Sequence, residues 1–189
     1  EVQAVESVLL KNPVVLKIEA EQDTVELINQ VAYHVSLEKK GPLLRYLIKS
    51  NNWKQVWVFT SSVYQADLVA DKWQKNGVNA QSIHSKKSQG KRTDALARFK
   101  SGDLRVLVAT DLLSRGIDIA FLPHVINYEL PRSPKDFIHR IGRTGRAENP
   151  GDAITFVTEE DQHHFNIIQK KMKRSVNMID AESLDLKKI

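Results

Sequence analysis

The sequence predicts an α/β domain, built on a mostly parallel sheet with helices on both faces. Three observations carry the prediction. From residue 27 onward, apolar strand-like runs alternate with amphipathic helical patterns. Two of the runs, Val56-Trp57-Val58-Phe59 and Val106-Leu107-Val108-Ala109, contain no polar alternation, which is how strands buried on both faces of a parallel sheet read. The segments between the runs carry helix start and stop residues.

Taken in order, the expected strands are Ile28–Val35, Gln55–Thr60, Val78–Ile83, Leu104–Thr110, His124–Glu129 and Asp152–Thr158. After the second, Ser62 with Gln65 forms a capping box. Val63, Ala66, Ala70 and Trp73 then share a face, and Asn76-Gly77 ends the helix. Ser88 caps a helix that stops near Gly102. At Ser133-Pro134 a capping side chain precedes a proline at the first helical position, where the missing N–H costs nothing. A last helix follows Thr158, with Glu159, Glu160 and Asp161 expected in its first turn and Lys170, Lys171, Lys173 and Arg174 near its other end, as the helix dipole favours. Such alternation implies right-handed crossovers within a single sheet.

Residues 1–26 read differently. A short helical pattern stops at Asn12-Pro13, a strand-like Val14–Ile18 follows, and the polar stretch Glu19–Thr24 is the expected domain boundary. That leaves 27–189 as the main domain. The first piece is too small to bury its own apolar face, so Val14–Ile18 is expected either to be mobile or to pair with another copy of the chain.

Composition narrows the function. Of the 189 residues, 41% are hydrophobic and 27% charged, the balance of a globular protein. No apolar run approaches the ~20 residues that span a bilayer, so no membrane role is expected. The opening Glu1-Val2-Gln3 lacks a signal-peptide pattern. Cysteine is absent, which excludes disulfides and thiolate metal sites and fits a cytoplasmic location. The net charge of +5 is unevenly spread: residues 1–40 hold four Lys/Arg and seven Asp/Glu (−3), and the rest hold twenty-four and sixteen (+8). A polyanionic partner and a solvated basic surface both fit that asymmetry.

The densest chemical signal is His139-Arg140-Ile141-Gly142-Arg143-Thr144-Gly145-Arg146. Glycines let the backbone turn sharply, and guanidinium forks match phosphate oxygens in geometry and charge. A solvated basic loop is the plainer alternative for this octamer alone. A second segment, Ala109-Thr110-Asp111-Leu112-Leu113-Ser114-Arg115-Gly116-Ile117-Asp118, begins at the C-terminal end of a buried strand, where open α/β sheets bind ligands. Its Asp111 and Asp118 also suit helix-capping or turn roles. A third, Val58-Phe59-Thr60-Ser61-Ser62, ends a strand with hydroxyls before a helix N-terminus, a setting for phosphate. A fourth, Gln89-Gly90-Lys91-Arg92, opens a helix and reads equally as a solvated face. His163-His164 reads as solvated rather than metal-binding.

Together, in this order, these segments resemble motifs VI, V, IV and IVa of the C-terminal RecA-like domain of DEAD-box ATP-dependent RNA helicases. The resemblance covers nearly the whole chain. It implies that Arg143 and Arg146 act catalytically as fingers on ATP phosphates, and that Asp118 and Gly116 join them in holding the nucleotide. It implies RNA contacts from Ser61, Ser62, Gln89, Arg92, Thr110, Asp111 and Arg115, with His139 coupling the two domains and Arg140 supporting the loop. Residues 1–18 resemble the end of the family's first domain, and 19–26 its interdomain linker. One departure stands out: the family commonly has His-Gly after the third strand, whereas this chain has His84-Ser85.

The resemblance further implies ATP and Mg2+ as cofactors, with single-stranded RNA and the preceding RecA-like domain as partners. Neither a G-x-x-x-x-G-K-[S/T] phosphate loop nor an Asp-Glu-Ala-Asp segment occurs. Those groups, including the Mg2+ ligands, are expected in a domain before residue 1. Two other readings stay open: a binding module that kept the fold without catalysis, and a DNA helicase of the same superfamily. Phosphate-facing arginines weigh against the first, and the wording of the motifs favours RNA over the second. The 189-residue chain alone is therefore expected to show no RNA-stimulated ATP hydrolysis above background in a phosphate-release assay; robust turnover would refute the two-domain reading.

Overall fold

The computed structural model describes residues 26–111, 122–145 and 150–188. Seven strands form one sheet: β1 Asn29–His34, β2 Val56–Thr60, β3 Ala80–Ile83, β4 Val106–Thr110, β5 His124–Asn127, β6 Asp152–Val157 and β7 Asn177–Asp180. The α-helices among the described residues are α1 Lys40–Ser50, α2 Val63–Lys75, α3 Gln89–Ser101, α4 Pro134–Ile141 and α5 Gln162–Met172. Strand order is β3-β4-β2-β5-β6-β1-β7, and every pairing is parallel. The fold is RecA-like, matching the expectation from the sequence.

Strand order and helix placement follow one rule. The crossovers from β1 to β2 and from β2 to β3 run one way along the sheet, carrying α1 and α2. From β3 onward the chain moves back the other way, carrying α3, α4 and α5. A fixed crossover hand then puts the two sets on opposite faces, and the packing agrees. Val56, Val58, Val106 and Val108 meet Leu43, Leu44, Leu47, Ala66, Val69 and Trp73 on one face. Their alternate neighbours Trp57, Phe59, Leu107 and Ala109 meet Ala95 and Phe99 of α3 on the other. Farther along that second face, Ala32, Ala153 and Val157 pack against Phe137, Ile141, Phe165 and Ile168. β2 and β4 are buried at every position, as their unbroken apolar runs require.

Helix ends follow the sequence signals closely. Ser62, Ser88 and Ser133 each accept a hydrogen bond from the backbone three residues on. Gly77 and Gly102 take positive φ of 77° and 86° just past their helices, where a Cβ would cost energy. Two expectations need correction. Glu159–Asp161 form a turn before α5 rather than its first turn, because the Asp161 carboxylate accepts from Thr158 N and Oγ1. And β7, too short and weakly apolar to stand out in sequence, adds a seventh strand beside β1. Several strands are also one or two residues shorter than expected. Residues 14–18 and the expected boundary at 19–24 lie outside the described residues.

Leu44 is fully buried between α1 and the sheet. Leu44→Ala should cost about 2–5 kcal/mol, since the neighbouring side chains relax only partly into the void. Urea denaturation of the wild-type and variant chains measures it.

Candidate active site and nucleic-acid interface

The paired strands are all parallel, so their C-terminal ends share one edge, and the described candidate residues gather there. Arg140, in the last turn of α4, holds that edge together. Its side chain is 1% exposed. Nε donates to Asp111 Oδ1 at 2.5 Å and Nη2 to Asp111 Oδ2 at 2.6 Å, a bidentate fork onto the residue that follows β4. Nη1 donates to Glu129 O at 2.6 Å and to Asn127 Oδ1 at 3.3 Å, at the end of β5. The guanidinium carbon lies 5.1 Å from the Phe59 ring centroid, near the end of β2. One buried cation thus fastens three strand ends to α4.

This geometry bears on two sequence expectations. Arg140, expected to support the arginine loop, ties the helix before that loop to the segments after β4 and β5. Asp111, expected at the RNA, has both oxygens engaged by Arg140, which offsets a charge that phosphates would otherwise repel.

Beyond α4 the chain turns through Gly142-Arg143-Thr144-Gly145, and the main chain fixes the turn. Leu122 N donates to Arg143 O at 2.9 Å, and Thr144 Oγ1 donates to Leu122 O. Gly145 has φ +79°, and a Cβ there would stand 2.7 Å from Ile28 Cγ1. Gly151 crosses so closely that a Cβ would fall on Thr144 Oγ1 and lie 2.5 Å from Gly145 N. Arg143 is half-buried on this braced turn, and His139 is half-buried one helical turn before it. Arg115, Gly116, Asp118 and Arg146 lie outside the described residues.

The other side of the edge carries hydroxyl and amide groups. Thr60 and Thr110 pair in register at the ends of β2 and β4, and Thr110 is 7% exposed. Ser61 N donates to Glu129 Oε1 at 3.0 Å, and Ser61 Oγ donates to Leu130 O at 3.3 Å. Ser62 Oγ caps α2 by accepting from Gln65 N. Both serines are exposed. Gln89 is exposed at the start of α3, and half-buried Arg92 follows. The Arg92 Nε is buried with no hydrogen-bond partner among the described residues.

A network that the sequence reading passed over sets the loop before α3. Lys86 N donates to His84 Nδ1 at 3.2 Å, so Nε2 carries the proton and donates to Asp67 Oδ1 at 2.9 Å. Asp67 also accepts from Ser82 Oγ and lies 3.5 Å from Lys87 Nζ. Burial alone would raise the Asp67 pKa, but the bonds from Ser82 and His84 and the nearby cations hold it below the usual carboxylate range. Ser85, in place of the family's glycine, is exposed beside the buried His84. The residue spacing gave no sign of the Asp67–His84 bond, because the partners come from α2 and the end of β3. Lys40 was missed for the same reason. It is 4% exposed and sits 5.5 Å from the Tyr128 ring centroid. Burial lowers its pKa, opposed by Asp161 and Glu129, while burial and Glu129 push the Tyr128 hydroxyl up to about 12.

No group of three or more His, Asp or Glu among the described residues is placed to hold a metal ion. His164 Nε2 lies 2.7 Å from Pro131 O, so it is tied to the fold and not simply solvated. No helix among the described residues is long and apolar enough to cross a membrane.

Comparison with known proteins agrees with the family resemblance. Residues 38–148 match the family model described as helicase conserved C-terminal domain. The chain is 36% identical over 176 residues to the DEAD-box ATP-dependent RNA helicase CshA of Bacillus licheniformis, covering 93% of this chain and 36% of that protein. It is 37% identical over 166 residues to the ATP-dependent RNA helicase RhlB of Pseudomonas syringae, covering 88% and 42%. The chain therefore spans well under half the length of these relatives. Among solved structures, a DEAD box protein from Methanococcus jannaschii aligns with TM-score 0.76 and 34% identity, over 80% of this chain and 42% of that one. The C-terminal domain of the DEAD-box protein Dbp5 aligns with TM-score 0.78 and 27% identity, over 86% and 95%.

The Arg140 fastening predicts a specific sensitivity. Arg140→Lys keeps the charge but cannot reproduce the fork, and it leaves Asp111 and the Glu129 carbonyl short of donors. A loss of about 1–3 kcal/mol is expected, the cost of leaving buried polar groups short of a hydrogen bond. Chemical denaturation of the variant chain provides the measurement.

Proposed function

This chain belongs to the helicase conserved C-terminal domain family, in its DEAD-box branch, and on that premise we propose that it is the half of an ATP-dependent RNA helicase that completes the ATP site and part of the RNA groove. The supporting observation is the Arg140 fastening. It brings the start of the Thr110–Asp118 segment into hydrogen-bond contact with the helix that carries the arginine loop, so groups suited to RNA and groups suited to phosphate share one braced edge.

On the nucleotide side, hydrolysis builds negative charge on the transferred phosphoryl group. Arg143, with Arg146 beyond it, supplies guanidinium groups to that charge from the domain opposite the phosphate loop. Asp118 and Gly116 serve the nucleotide's sugar and its surroundings, and His139 couples the loop to the preceding domain. ATP bound between the domains supplies the transferable phosphoryl group, and the Mg2+ ligands belong to that other domain. No step assigned to this chain runs through the metal.

On the RNA side, Ser61, Ser62, Gln89, Arg92, Thr110, Asp111 and Arg115 line the groove. The half-buried Arg92 guanidinium, whose Nε has no hydrogen-bond partner among the described residues, supports a phosphate contact, since an unmade donor bond is costly. Hydroxyls and basic groups position a backbone rather than read bases, so the RNA contact has little sequence preference. The partners are single-stranded RNA and the preceding RecA-like domain, and the setting is cytoplasmic. Self-association through residues 14–18 is a separate proposal, tested by the oligomeric state with and without residues 1–26.

The test uses the chain joined to its preceding domain. Arg143→Lys should depress RNA-stimulated ATP hydrolysis by ~10³-fold, the usual scale for such fingers, and leave nucleotide-free RNA affinity unchanged. Arg92→Ala should weaken binding of unrelated single-stranded RNAs alike and flatten the salt dependence. Loss of RNA binding in Arg143→Lys with hydrolysis spared would make the loop an RNA clamp and overturn the assignment.

A further inference from the structure

The sheet face opposite α3 and α4 carries a second feature that the ATP and RNA roles leave unused. Between α1 and α2 lies a groove of about 210 Å³. Its floor is apolar, formed by Pro42, Trp73 and Val78, and three cations border it: Arg45 and Lys49 from α1 and Lys72 from α2. No acidic side chain lines it among the described residues, and none of the three cations makes an ion pair there. Arg45 and Lys49 stand one helical turn apart, so their charges fall on one side of α1.

The outer surface of α2 continues the pattern. Tyr64, Leu68 and Lys72 follow one another at four-residue intervals, which places them along one stripe. Tyr64 is 74% exposed and Leu68 47% exposed, two of the five large hydrophobic residues left open among those described. Apolar surface therefore runs into a cation-rimmed groove.

We propose that this α1–α2 face docks a short acidic, amphipathic peptide segment of a protein partner. Its carboxylates would meet Arg45, Lys49 and Lys72, while a large apolar side chain covers Leu68 and enters the groove over Trp73. Nucleic acid fits less well. A phosphate chain could pair with the three cations but would leave the apolar floor and Leu68 uncovered. The groove lies at the C-terminal end of α2, away from Ser61 and Ser62 at the other end of that helix, and on the opposite sheet face from α3, which carries Arg92, and α4, which leads to Arg143, so RNA and the peptide bind together without competition.

The experiment is an NMR titration of the isotope-labelled chain with three probes. One is a short peptide with Glu along one face and Leu and Phe along the other; the second keeps the Glu and replaces Leu and Phe by Ser; the third is a single-stranded oligoribonucleotide. The first should shift the amides of Arg45, Lys49, Lys72 and Trp73, and the second should bind at least about tenfold more weakly. Lys49→Glu with Lys72→Glu should weaken the first peptide by about tenfold, the sum expected of exposed ion pairs. Both lysines are exposed, so the variant's dispersed spectrum serves as the folding control. Leu68→Ser should weaken the first peptide and spare the second. Equal binding of both peptides, insensitivity to charge reversal, or shifts mapping elsewhere would each overturn the proposal. Displacement of the peptide by the oligoribonucleotide would overturn it in favour of an RNA path across this face.

Discussion

A single buried guanidinium organises the functional edge of this domain. Parallel strands deliver their C-terminal ends to one side, but nothing in a hydrogen-bonded ladder fixes how the loops beyond those ends lie relative to one another. Arg140 does so, by bonding Asp111 after β4 and Asn127 and Glu129 around the end of β5, and by lying against Phe59 near the end of β2. A buried charge is tolerated only when its donors are satisfied, so these partners cannot drift apart without exposing an uncompensated ion. The neighbouring turn inherits that constraint through its own main-chain contacts to Leu122 and Gly151.

The three arginines of the octamer accordingly divide their labour. Identical side chains three residues apart look interchangeable in a sequence, and crowding alone suggests a shared anion. Burial separates them: Arg140 is enclosed, whereas Arg143 is half-exposed on the braced turn. Glu129 shows the same economy, giving its carbonyl to Arg140 and its carboxylate to the Ser61 amide, so the two sides of the edge share a common support.

Much of this was legible in the residues. Uninterrupted apolar runs gave β2 and β4, because burial on both faces leaves no room for alternation. Serine caps and the glycines at 77 and 102 gave the helix ends, since both act through local backbone geometry. What could not be read locally was anything set by partners distant in sequence. Asp111 looks like a ligand-facing carboxylate until its distance to Arg140 is known. Asp67 and His84 are unremarkable until α2 is laid over the end of β3. The strand β7 was overlooked because its residues are weakly apolar, and it is ordered by pairing with β1 rather than by its own pattern.

The position of β1 has a consequence for how the chain is made. Among the described residues its neighbours are β6 and β7, and Asn29 pairs with Asp152, 123 residues later. During synthesis the first strand of the sheet to emerge must therefore remain without its ladder while β2 to β5 are being made. Closing so large a loop is entropically slow. The sheet is sealed from its late end, so a ribosome-bound chain stopped before β6 would hold a half-sheet with β5 as an open edge, the kind of exposed strand that chaperones must cover.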